Sequence, residues 1–246
     1  MRWFRSFVDL PLQPGATVAL PESARQHLGR VLRLREGDAV TLFNGDGFDY
    51  PARLAGAGPS LGAQILDRTA AAADEAALRI TLVQALARGE KMDWILQKAT
   101  ELGVAAVVPV TSQRCEVKLD GDRAGKRLAH WRQVVTSACE QCGRARIPDI
   151  SGPQPLLAFA DSAAQPPACT RLVLDPEGDL SLSDLSLGDQ AAVALAIGPE
   201  GGFDRVELGH LQRAGWRRLR LRGRILRTET AGIAVMSALL ALNGEL

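Results

Sequence analysis

Hydrophobic and polar positions change rhythm once along the chain, near residue 70. Before it, short alternating runs are broken by turn residues: ATVAL (16–20), GDAVTLF (37–43), NGDGFDY (44–50), PARLAG (51–56) and GAQIL (62–66). Apolar–polar alternation is the period of a strand with one buried face. Asn44-Gly45 and Asp46-Gly47 supply residues that accept the positive φ of tight hairpin turns. One helix-period stretch, Pro21 to Arg33, interrupts the strands. The pattern predicts a small β-rich barrel or sandwich over residues 1–70, with Asp67–Ala77 (DRTAAAADEAA) as linker.

Beyond the linker the runs lengthen. LRITLVQAL (78–86), VAAVVPV (104–110), RLVLD (171–175), AAVALAIG (191–198) and WRRLRL (216–221) read as strands. Those that are apolar throughout suit the middle of a parallel sheet covered on both faces. Between them GEKMDWILQKATELG (89–103) is amphipathic: Ile95, Leu96, Ala99 and Leu102 share a face, and Gly103 fits the C-cap. Asp122–Cys139, Asp204–Ala214 and Glu229–Leu242 also read as helices. Strands alternating with helices predict an α/β domain over residues 71–246. The 142–170 stretch, with its PQP and QPP turns, reads as a mobile connection.

Two constellations lie where a strand meets a helix, the place at which open α/β sheets bind ligands. The first is Ile197-Gly198-Pro199-Glu200-Gly201-Gly202-Phe203-Asp204. Its glycines let the backbone approach a ligand closely, and Asp204 suits the N-cap of the next helix. It is not a Walker loop, lacking the Lys-Ser/Thr pair, nor a dinucleotide fingerprint. The second is Leu219 to Ala231 (LRLRGRILRTETA), a strand end, a Gly-containing loop and a helix start. Capping accounts for Thr228 and Glu229 there, but not for the arginines.

Charge sharpens that point. The 246 residues carry 29 basic and 28 acidic side chains, a net +1 that excludes a uniformly basic coat. Position matters more than the sum. Arg205–Arg227 holds eight Arg against Glu207, and residues 1–36 hold six Arg against three acids. Of the 29 cations 25 are Arg, which base composition of the genome also explains, but such clustering suits a polyanion. Arg30 and Arg33, three apart, would share one side of a helix. No run approaches the roughly 18 apolar residues of a membrane span, and MRWFRSFVDL has no signal-peptide pattern. The four cysteines include a lone C-x-x-C (Cys139, Cys142) with no second pair or nearby His, so ordinary thiols are expected rather than a metal site. These features predict a cytoplasmic protein without metal.

The segments LARGEKMDWILQKATELGV, SQRCEVK, CEQCGRARIP, AIGPEGGF and LRGRILRTETA, with RSFVD and HLGRVLRLREGD near the start, run through nearly the whole chain. Their order and spacing resemble the ribosomal RNA small-subunit methyltransferases that modify a 16S rRNA uridine at N3, enzymes of the SPOUT class. The resemblance implies an α/β fold whose C-terminal domain is tied in a SPOUT-type trefoil knot, preceded by a PUA-like β-rich barrel that binds RNA. It implies S-adenosylmethionine held by Leu174, Ile197, Gly198, Gly201, Gly202, Leu221, Gly223, Ile225 and Leu226. Arg227, Glu229 and Glu200 are the catalytic candidates, the carboxylates as bases. Arg2, Arg5, Arg30, Arg33, Arg35, Arg222 and Arg224 are the candidates for RNA. It further implies 16S rRNA, within the 30S subunit, as partner, and a homodimer. The chain has Cys142 where the family usually has Ser, and Gln113 where it usually has Glu. Neither touches the glycine loops.

Two other readings stand beside this one. A SPOUT enzyme acting on a ribose 2′-hydroxyl usually carries Asn and Arg in its first motif, which GEKMDWILQKATELG lacks. A non-enzymatic RNA-binding assembly factor would not need both loops intact.

Overall fold

The computed structural model describes residues 4–117, 121–162, 169–187 and 192–246. Arg2, one of the RNA-binding candidates, lies outside them. The chain divides into two compact units, Met1–Glu75 with Thr136–Ile147, and Ala76–Val135 with Pro148–Leu246.

In the first unit β1 (Arg5–Phe7), β2 (Thr17–Ala19), β3 (Ala39–Phe43), β4 (Phe48–Ala55) and β5 (Gly62–Ile65) form a sheet in the order β1-β3-β4-β5-β2. A two-residue β6 (Thr69–Ala70) pairs with the start of β4. The runs NGDGFDY and PARLAG, separate in the sequence pattern, form one strand through Pro51. Proline cannot donate to a ladder. It sits where β4 changes partner, from β6 at Phe48 and Asp49 to β5 from Ala52 onward. Leu20, Leu28, Leu42, Leu54 and Ile65 fill the core.

The helix expected over 21–33 is shorter and partly of another kind. One turn, α1 (Glu22–Arg25), passes into a π-helical segment, Gln26–Val31, closed by the Leu32 N–H on the His27 carbonyl. Arg33 then takes φ +58°, uncommon for a residue with a side chain. Arg30 and Arg33 therefore do not share a side of an α-helix as expected, because no α-helical turn connects them. Both, with Arg35, are exposed.

Arg5 is not available to RNA. Its side chain is buried, ion-paired with Asp49, and donates 3.1 Å to the Arg144 carbonyl. Arg144 in turn pairs with Glu75 at 2.5 Å. A buried charge needs such partners. Arg144 comes from the CEQCGRARIP segment, most of which is grouped with the first unit rather than with the second as a boundary at residue 70 would have it. Within that segment burial pushes the Cys139 thiol up to about 12. This is the state of an inert core thiol.

The second unit is built on a parallel sheet in the order β10-β8-β7-β12-β11-β13. The strands are β7 (Arg79–Ala85), β8 (Ala106–Thr111), β9 (Asp149–Ile150, beside β8), β10 (Gln154–Pro155), β11 (Thr170–Leu174), β12 (Ala192–Ile197) and β13 (Arg217–Leu219). The helices are α2 (Lys91–Glu101), α3 (Gly121–Cys142, grouped with the first unit from Thr136), α4 (Leu156–Asp161), α5 (Arg205–Arg213) and α6 (Thr228–Leu242). The connection expected over 142–170 contains two short strands and α4. That helix buries Leu156 and Phe159, apolar residues that the prolines on either side obscured. No helix among the described residues is long and apolar enough to cross a membrane.

Candidate active site

The carboxyl ends of β11, β12 and β13 open into one cavity of about 1080 Å³. Its walls are three loops: 174–177 after β11, 197–203 after β12, and 220–228 between β13 and α6. All nine residues expected to hold a methyl donor line it. Leu174, Ile197, Phe203, Leu221 and Leu226 give it apolar walls, as small-molecule sites require. Ile225 is at the rim, with 84% of its surface exposed.

The glycines shape the middle loop. A Cβ on Gly198 would lie 3.0 Å from both the Gly202 Cα and the Phe203 nitrogen, so the turn closes on itself only with glycine there. Gly202 sits at φ +67°, a conformation that side chains resist. Downstream, Asp204 caps α5 in a capping box: its carboxylate accepts from the Glu207 N–H at 2.7 Å, and Glu207 accepts from the Asp204 N–H at 2.9 Å. The buried Glu207 carboxylate also accepts from the Gln113 N–H at 2.8 Å. Arg114 donates 2.7 Å to the Gly201 carbonyl. The SQRC segment is thereby fastened to the glycine loop, partly through the main chain of Gln113, so the exchange of Glu for Gln there leaves the bond intact.

Thr228 does not cap α6. The N-cap is Arg227, and the Thr228 hydroxyl, buried inside the first turn, donates 2.7 Å to the Gly198 carbonyl. The same hydroxyl accepts from the Gln84 amide at 3.0 Å.

Among the catalytic candidates, Arg227 and Glu200 line the cavity and Glu229 does not. Glu200 accepts from the Lys91 ammonium at 2.8 Å, and Glu229 lies 3.6 Å from the same ammonium. Burial pushes the Glu200 carboxyl up, but the hydrogen bond from Lys91, helped by the N–H groups of Glu200 and Arg88, outweighs it and leaves it below its ordinary value. Lys91 is raised, chiefly by the same bond. A carboxylate held in that way is a weak proton acceptor, so Glu200 is better suited to fixing Lys91 at the rim than to serving as a base. Arg222 and Arg224 also border the cavity, on its exposed side.

A family model described as RNA methyltransferase domain matches residues 74–240, and one described as RNA methyltransferase PUA domain matches 20–61. The chain is 33% identical to ribosomal RNA small subunit methyltransferase E of Mycobacterium bovis, over 97% of its own length and 92% of that protein. It belongs to that family. The Neisseria gonorrhoeae member, solved bound to S-adenosylmethionine, superimposes with a TM-score of 0.90 at 37% identity, covering 98% of each chain. A methyltransferase of Legionella pneumophila in complex with the same cofactor gives 0.91 at 36%, again over 98% of each chain. In this chain the PUA match precedes the methyltransferase match.

Four residues of the site, Gln84, Lys91, Arg114 and Thr228, had no site role in the sequence reading. Each stands in or beside a segment that carries the family resemblance, and that was their only signal. Their roles depend on contacts across 30 to 144 positions of chain, which periodicity does not register.

Proposed function

We propose that the protein transfers a methyl group from S-adenosylmethionine to N3 of a uridine in the 16S rRNA of the small ribosomal subunit. Its class, an S-adenosylmethionine-dependent rRNA methyltransferase, follows from its family. The observation that carries the site is the convergence of three loops, one rich in glycine and one containing Gly223, on one apolar-walled cavity at the carboxyl ends of β11, β12 and β13. Bound there, the donor supplies a methyl on a positively charged sulfur, open to in-line attack by a deprotonated uridine N3.

The chain's own residues hold, orient and neutralise. Leu174, Ile197, Leu221 and Leu226 exclude water, and backbone groups of Gly198, Gly201, Gly202, Gly223 and Ile225 are within reach of the donor's polar edges. Arg227, at the N-cap of α6 and on the cavity wall, faces the place where a uridine anion develops. Lys91 adds a second cation. Glu229, outside the cavity lining and with Oε2 3.6 Å from the Lys91 ammonium, is better suited to holding Lys91 at the rim than to taking the N3 proton. The uridine must leave any base pair to enter. Arg222 and Arg224 beside the cavity, and Arg30, Arg33 and Arg35 on the first unit, contact the RNA backbone.

The fold extends the reading. Helix α6 follows the edge strand β13 yet packs on α2 and on the inner strands β7 and β12, so residues 220–227 cross the ends of β11 and β12. Such a crossing suits the trefoil knot that the family resemblance implies. Exposed Trp94, Leu242 and Leu246 suit burial in a homodimer, the protein working in the cytoplasm on the 30S subunit.

Calorimetry of the purified chain with S-adenosylmethionine tests the site: saturable binding of one donor per chain is expected, and no detectable heat at millimolar donor would sink the enzyme reading.

A further inference from the structure

Strand β7 reads RITLVQA, and every position around its end is apolar except Gln84. Gln84 has 0% of its surface exposed. Its amide nitrogen donates to the Ala85 carbonyl at 2.9 Å and to the Thr228 hydroxyl at 3.0 Å, while its amide oxygen has no hydrogen-bond partner among the described residues. A hydroxyl has a single proton to give. Because Thr228 accepts from Gln84, its own proton is directed to the Gly198 carbonyl, 2.7 Å away.

A half-satisfied, fully buried amide costs stability, since the idle oxygen has lost water without replacement. A methionine of similar length would fill the space at less cost. Stability therefore does not explain a glutamine in this strand. What the amide does is join three elements in one chain of hydrogen bonds, from β7 through the first turn of α6 to the glycine loop after β12. Two of the three cavity loops end on that chain: 197–203 at Gly198, and 220–228 at Thr228.

We propose that Gln84 is a positioning residue for the methyl donor: through the Thr228 hydroxyl it fixes the Gly198 carbonyl, and with it the Gly198–Gly202 turn, in the form that receives S-adenosylmethionine. This rests on the cavity being the donor site. Gln84 touches no substrate and acts only through Thr228.

The test compares the full-length chain with Gln84→Met, Thr228→Val, Thr228→Ser and the double variant Gln84→Met/Thr228→Val. Donor affinity is measured by calorimetry and melting temperature without ligand. Gln84→Met is expected to melt at or above the temperature of the unaltered chain while binding the donor about 3- to 10-fold more weakly, the worth of one neutral hydrogen bond. Thr228→Val is expected to weaken binding to a similar degree, and Thr228→Ser, which keeps the hydroxyl, to stay within about twofold. The double variant should be no weaker than the weaker single one, because both act through one chain of bonds. A lower melting temperature in Gln84→Met with unchanged affinity would make the amide a core residue only and overturn the proposal, as would additive losses in the double variant. The two side chains lie on different elements, so a variant that does not fold leaves the other to decide. No binding by the unaltered chain would remove the donor site itself. Normal binding by it, with unchanged affinity in Gln84→Met and Thr228→Val, removes the positioning role alone.

Discussion

At the scale of single residues the site depends on atoms that are missing as much as on those present. A Cβ added at Gly198 would lie 3.0 Å from neighbouring backbone, which cannot yield as a flexible side chain would. Gly198→Ala is therefore expected to weaken donor binding by about tenfold or more while the fold persists, the cost of displacing a packed loop. Calorimetry beside a melting curve checks it. The ion pair at the rim gives a pH expectation. Glu200 sits below its ordinary value, so its contribution is present above the unfolded value and lost as pH falls through the folded one. Lys91 sits above its ordinary value, so its contribution is present at neutral pH and lost only as pH rises through that raised value. The pair's contribution to unfolding free energy, read as the difference between the unaltered chain and Glu200→Gln, should be flat between about pH 6 and 9 and fall in acid below the ordinary carboxylate range. A midpoint near neutrality in that difference would refute this assignment.

At the scale of elements, the capping box of α5 serves two purposes. Asp204 and Glu207 satisfy the first turn of α5, and Glu207 also ties down the Gln113 main chain. Asp204→Ala should cost about 1 kcal/mol in urea unfolding, as loss of an N-cap does. Glu207→Ala should cost more, because it also leaves a backbone N–H from another loop unpaired. The cap at Asp204 was legible in the sequence, since a side chain and its target lie three residues apart. So were the strands of the parallel sheet, where unbroken apolar runs leave little alternative. Thr228 was misread as a cap for the opposite reason. A threonine at a helix start suits capping locally, and only the distant Gly198 carbonyl and Gln84 amide show that its hydroxyl is engaged elsewhere. The π-helical turn after α1 was hidden likewise. HLGRV has ordinary helical composition, and the wider turn shows only in the backbone hydrogen bond from Leu32 to His27.

At the scale of the molecule, a net charge of +1 conceals two basic stretches of different character. In the N-terminal one Arg5 is spent inside its unit on Asp49, leaving Arg30, Arg33 and Arg35 exposed. Near the cavity Arg222 and Arg224 face outward. If both contact phosphates, Arg222→Gln and Arg224→Gln should each lower the slope of log RNA affinity against log salt by about one. Filter binding to 16S rRNA fragments over a salt series measures it. The family resemblance supplied the expected chemistry, but no local pattern located the return of Thr136–Ile147 to the first unit, where Arg144 meets Arg5 and Glu75 from far along the sequence.

The chemistry of transfer is the central claim, and the position of the methyl group tests it most directly. An N3 methyl removes the proton that uridine uses in base pairing, so it halts reverse transcription at one position, whereas a ribose methyl leaves that edge intact. Small subunits lacking the modification, incubated with the protein and labelled S-adenosylmethionine, should acquire one label in 16S rRNA. The labelled nucleoside should be 3-methyluridine, with a single new stop in primer extension. Label on a ribose, or on a base other than uridine, would contradict the account.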